Sequence, residues 1–164
     1  MKPMNPKSPA DLYFGQLRDL YSVESQVILT LPELAAATSP SPLREFLQDQ
    51  EPLAMRRKRR LQGIFKRHHA PSDGDICEGM KGLIHGGNRH IAMAKNPVVR
   101  DLLLIAHCSR IKHYEIAAYQ FAATLAGYLD YPKDLETLAE MLGEAKEAEG
   151  RLEAFASGMF SCKH

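Results

Sequence analysis

Glu24, Glu115 and Glu149 are the residues through which chemistry could enter this chain. Read at helical period, Leu17, Leu20, Glu24, Val27, Leu31 and Leu34 form one stripe. Leu104, Cys108, Ile111, Glu115, Ala118, Ala122 and Leu125 form a second, and Leu135, Leu138, Leu142, Ala145, Glu149, Leu152 and Phe155 a third. Each acid interrupts an apolar face that should meet other helices. A carboxylate there is costly unless cations or donors answer it. Hard divalent cations take carboxylate oxygens, and two such ions need several acids from facing helices, so the pattern fits a di-iron or di-manganese site. The competing reading is a solvated glutamate whose helix phase is off by one position, which is weaker for three acids in register. A further stripe, Leu43, Leu47, Gln50, Leu53 or Ala54, Arg57, Leu61 and Ile64, has an arginine in its central slot.

The elements that must position these residues are helical throughout. Ser8-Pro9 caps and opens a first helix, which Pro32 should kink without ending, since Leu34-Ala35-Ala36-Ala37 continues it. Thr38-Ser39-Pro40-Ser41-Pro42 breaks the chain and restarts it in the same way. A second helix is expected over about 43–69, bent or interrupted by Pro52. A short one spans about 77–92, broken or capped at Gly86-Gly87. Asn96-Pro97 opens a third long helix ending near 127–130, and the last covers about 135–160. Four long helices, with a link between the second and third too long for a turn, predict a four-helix bundle with one crossover. Residues 1–8 are expected as a mobile tail and 9–160 as one domain.

The totals exclude several classes. A net charge of +1 over 164 residues projects no global field toward nucleic acid or membrane. No apolar run approaches a bilayer span and Met1-Lys2-Pro3-Met4-Asn5-Pro6-Lys7 has no signal core, so a soluble cytoplasmic protein is expected. Cys77, Cys108 and Cys162 lack metal-type spacing and fit reduced thiols, Cys108 as a small core hydrophobe. Arg56-Arg57-Lys58-Arg59-Arg60, followed by Lys66-Arg67-His68-His69, could bind an acidic partner or a phosphate backbone. The neutral total and the lack of interleaved aromatics argue against nucleic acid and for a solvated face balanced by Glu45, Asp49 and Glu51. His85, His90, His107 and His113 show no zinc-helix spacing. Tyr114, Tyr119, Tyr128 and Tyr131 read as packing residues whose hydroxyls reach solvent.

Several blocks resemble the YciF-like branch of the ferritin-like superfamily, bacterial stress-associated helical proteins. They are Leu17-Arg18-Asp19-Leu20-Tyr21-Ser22-Val23-Glu24, Leu31-Pro32, Arg60-Leu61-Gln62-Gly63-Ile64-Phe65, Cys77-Glu78-Gly79-Met80-Lys81-Gly82-Leu83-Ile84, Asn96-Pro97-Val98-Val99-Arg100-Asp101 and His113-Tyr114-Glu115-Ile116-Ala117. The resemblance covers roughly residues 11–156 and implies a homodimer of a ferritin-like bundle with a two-metal carboxylate site. Apolar residues beyond one inner stripe (Tyr13, Phe14, Phe46, Ile28) agree with dimerisation.

The departures from that pattern are specific. Where such relatives carry a ligand-type Glu and a following His in the second helix, this chain has Leu53 and Arg57. An acid of the third helix is Lys112, one beside the glycine turn is Gly86, and the paired acids of the last helix are Glu144-Ala145, with Glu24 and Glu149 kept. Arg57 and Lys112 would repel divalent ions. They are expected instead to pair with Glu24, Glu115 and Glu149, an internal salt-bridge network in place of the metals. The alternative turns both cations outward and leaves Glu24, Glu115, Glu144 and Glu149 to hold an iron or manganese pair for oxidase or peroxide chemistry. A third reading is an adaptor docking an acidic partner through Arg56 to Arg60.

Overall fold

The computed structural model describes residues 5–74 and 76–161. Met1 to Met4 of the expected tail, and Cys162, lie outside the described residues. Five helices run Pro9–Ala37 (α1), Pro42–Arg67 (α2), Glu78–Met93 (α3), Pro97–Tyr128 (α4) and Pro132–Ser161 (α5), with no strand among the described residues. Three of the starts follow from capping chemistry. Ser8 Oγ accepts from the Asp11 N–H at 3.0 Å, and Asn96 Oδ1 accepts from Val98 and Val99 at 2.9 and 3.2 Å. Ser41 caps α2 likewise, and in all three a proline follows at the first turn, where no N–H is needed.

α1 packs on α2 and α4 on α5, giving two helical hairpins that meet through α1 against α4 and α2 against α5. α3 lies on α4 and α1. The buried apolar residues fall into two clusters. One gathers Val23, Val27, Phe46, Ala54, Leu104, Ile111 and Leu152. The other gathers Tyr13, Leu17, Leu20, Leu61, Tyr119, Leu138 and Met141. Along every helix of the hairpins the sequence passes from one cluster to the other, and the change falls beside Glu24 in α1, at Arg57 in α2 and around Lys112 to Glu115 in α4. A polar layer therefore divides the core.

Four expectations are corrected. Pro52 does not interrupt α2, because it lies on an exposed face where the lost hydrogen bond meets solvent. α3 is continuous through Gly86-Gly87. The inner face of α5 is Leu138, Met141, Ala145, Ala148 and Leu152, so the expected stripe was out of phase: Leu135 is exposed and Glu149 only half-buried. Tyr13 and Phe46 are enclosed by their own chain and Phe14 and Ile28 are half-buried, so these four make no free apolar face. No helix among the described residues is long and apolar enough to cross a membrane.

Candidate functional site

Three helices supply the centre of the polar layer. Glu24 from α1, Arg57 from α2, and Lys112, Glu115 and Tyr119 from α4 are each at most 4 % exposed. The α4 residues share a face because three- and four-residue steps bring side chains together along a helix. Arg57 Nε donates to Glu24 Oε1 at 2.9 Å, and the Tyr119 hydroxyl donates to the same oxygen. Lys112 Nζ donates to Glu115 Oε2 at 2.6 Å. The guanidinium also faces Glu115 Oε1 from Nη2 at 3.9 Å and Glu144 Oε2 from Nη1 at 3.7 Å. Those two contacts are electrostatic and too long for hydrogen bonds. Two buried carboxylates thus face two buried cations, and their charges cancel.

The electrostatics follow from burial and proximity. Burial, then Glu115, push the Glu24 carboxyl up, and Arg57 and Lys112 pull it only part of the way back. Burial disfavours the charged guanidinium of Arg57, but Glu24 and Glu115 outweigh it and hold the group charged above its ordinary range. Burial, with Glu24 beside it, keeps the Tyr119 phenol far above its usual value, so it remains a donor.

The two acids of α5 separate. Glu144 stands at the rim of the centre, where Arg56 and Arg60 reach its Oε1 at 2.9 and 2.8 Å. Glu149 does not join Arg57 or Lys112. It accepts from Ser109 Oγ at 2.7 Å and faces His113 Nδ1 at 3.5 Å, a consequence of the rotated phase of α5. The basic run of α2 is balanced across helices by Glu144 and Glu140, not by Glu45, Asp49 and Glu51 of its own helix. Lys58 lies 4.9 Å over the Tyr21 ring, and Arg59 points to solvent.

The donor set does not fit a two-metal centre. Among the described residues no three His, Cys, Asp or Glu side chains gather as a metal-binding group. One oxygen of Glu24 and one of Glu115 are hydrogen-bonded to a guanidinium and an ammonium, while Glu24 Oε2 and Glu115 Oε1 are buried without a donor. A divalent ion among them would stand against both positive charges. His85, His90 and His113 are exposed; His107 is buried beside Asn88.

Two features escaped the sequence. Tyr119 was expected to reach solvent, yet it is fully buried on Glu24; its place four residues after Glu115 was the available signal. The second is Asp134, at 2 % exposure. It accepts from the Tyr13 hydroxyl at 2.9 Å and from Arg67 at 2.7 and 3.1 Å, and lies 2.6 Å from His68 Nε2. This knot ties α1, α2 and α5 at one end, and no local pattern announces it.

Comparison with known proteins gives this architecture its relatives. Residues 8–162 match the family described as a domain of unknown function, DUF892. The chain belongs to the DUF892 family. This DUF892 chain is 35 % identical to protein YciF of Escherichia coli (strain K12) over 150 residues, 91 % of this chain and 90 % of YciF. The crystal structure of the E. coli stress protein YciF matches with a TM-score of 0.91 at 31 % identity, covering 96 % of this chain and all of that one. A Rhodopseudomonas palustris structure, YcfI, matches with a TM-score of 0.89 at 25 % identity over 93 % of this chain and 98 % of the other. The YciF-like kinship drawn from the motif blocks is thereby confirmed for this DUF892 protein.

Proposed function

We propose that this DUF892 protein is a single-domain, ferritin-like four-helix bundle whose centre is closed by an ion-pair network in place of a pair of metal ions, and that it serves a non-catalytic, stress-associated role as a cytoplasmic homodimer. The observation that carries the reading is the position of Arg57. At 1 % exposure it lies between Glu24 and Glu115, while Lys112 takes the other oxygen of Glu115. Glu24, Glu115 and the rim residue Glu144 are then remnants of a ligand set, with Arg57 and Lys112 supplying the positive charge. The stress association is supported by similarity to E. coli YciF, which is described as a stress protein.

The alternative two-metal reading would use the buried, undonated oxygens of Glu24, Glu115, Glu144 and Glu149 as ligands, but Arg57 lies against the first three and Glu149 turns to Ser109 and His113. An adaptor role for the basic helix loses Arg56, Arg57 and Arg60 to partners within the chain. Elemental analysis of protein purified after iron or manganese loading tests the reading. Metal well below one equivalent is expected, and about two equivalents per chain would overturn it. Glu115→Gln should change stability and leave metal content unaltered.

A further inference from the structure

α3 is the least committed helix of the fold. Only Met80 and Ile91 are buried along its 16 residues, and it touches α4 and α1 alone. Its middle is fastened by polar groups. Asn88 Nδ2 donates to Thr30 Oγ1 of α1 at 3.2 Å, and Asn88 Oδ1 lies 3.2 Å from His107 Nε2 of α4. With the amide nitrogen given to Thr30, the amide oxygen is the acceptor, so Nε2 of His107 carries the ring proton.

Nδ1 of His107 is therefore a bare acceptor, buried without a partner in a side chain 1 % exposed. It rests on Gly87. A Cβ built on that glycine would fall 1.9 Å from Nδ1, so the ring occupies the space a side chain of α3 would fill. A proton added at Nδ1 would be a charge pressed against the Gly87 Cα with no acceptor in reach. The charged groups that act on it, Arg110 of α4 and His90 of α3, worsen that position, and Thr30 of α1 is neutral.

We propose that α3 is an acid-released cover: protonation of His107 at Nδ1 undocks it from α4 and α1 and uncovers the apolar cluster beneath Met80 and Ile91. Burial, then Arg110 and His90, hold the docked His107 pKa down at about 4, against about 6.5 for a free histidine. The undocked state binds the proton more tightly. Docking is thus at full strength above about pH 6.5, weakens as pH falls below it, and stops weakening below about pH 4. Between pH 7.5 and pH 5, those two values favour opening by about thirtyfold.

Hydrogen exchange of the full chain, followed by mass spectrometry on peptides within residues 78–93, reads this directly. After correction for intrinsic rates, exchange in α3 should rise about thirtyfold from pH 7.5 to pH 5, while α2 and α5 keep their protection. His107→Gln, which cannot take the second proton, should flatten the dependence, and His90→Gln should keep it. Gly87→Ala should raise α3 exchange already at pH 7.5. An α3 equally protected at both pH values, an H107Q chain with the wild-type dependence, or a G87A chain with no change would each overturn the proposal. Should H107Q fail to fold, NMR titration of His107 in the wild type decides: a pKa near 4 supports the cover, and one at or above about 6.5 refutes it.

Discussion

Replacing Arg57 by methionine tests the centre most sharply. Methionine keeps much of the volume and removes the charge, so the effect is electrostatic rather than a cavity. Glu24 is 0 % exposed and would keep only the Tyr119 hydroxyl as a donor, while Glu115 would keep Lys112. Glu144 would lose little, since Arg56 and Arg60 still hold it. Breaking one buried pair in this way costs about 3–5 kcal/mol, because it strands an uncompensated charge. With a urea slope of about 2 kcal/mol per molar, the unfolding midpoint should fall by about 1.5–2.5 M. Acidity adds a second readout. Burial and Glu115 already raise the Glu24 carboxyl, and the loss of Arg57 raises it further. A carboxyl whose folded pKa is raised costs stability above that pKa and returns it as pH falls, so the deficit of R57M relative to wild type should shrink from pH 8 toward pH 5. Adding Glu24→Leu to R57M should recover most of the loss, since an apolar centre needs no counter-charge. A midpoint within about 0.3 M of wild type, or a deficit that grows in acid, would refute the account of the polar layer.

Asp134→Asn should lower stability by about 2 kcal/mol, a figure discounted because Arg67 and His68 are partly solvated; the melting temperature should drop by about 4–8 °C. Glu149→Ala removes an acid that lies off the centre and should cost less than about 1 kcal/mol in urea, and a loss comparable to that of R57M would show that Glu149 belongs to the network after all. Cys108, its thiol pushed up to about 12 by burial first of all, should not react with a disulfide reagent at pH 8 in a C77S/C162S chain until urea unfolds it; rapid labelling of the native protein would contradict the placement of α4. Tyr119→Phe should cost about 1.5–3 kcal/mol in the same unfolding assay by taking one donor from Glu24.

Most of the fold could be read along the chain. Ser8-Pro9, Ser41-Pro42 and Asn96-Pro97 mark three helix starts because capping is a matter of adjacent residues. The stripes through Glu24, Arg57 and Glu115 place polar groups in the core because a helical face repeats at a local period. The same reasoning puts α5 out of phase, since Leu135 and Leu142 fit the period as well as Met141 and Ala148 do, and only the facing surface of α4 selects between the two phases. Gly86-Gly87 looked like a break, but Gly87 is where His107 from another helix comes to rest.

What the residues determined by themselves was that three apolar stripes carry Glu24, Arg57 and Glu115 in their interiors, and that three helices begin at particular caps. Which of Glu144 and Glu149 meets Arg57, where the Tyr119 hydroxyl points, and that Tyr13, Arg67 and His68 converge on Asp134 were decided only when the helices packed. The reason is geometric. Capping and periodicity act within a few residues, whereas ion pairing across helices depends on the rotation and axial offset of each helix, which the packing of many side chains sets together.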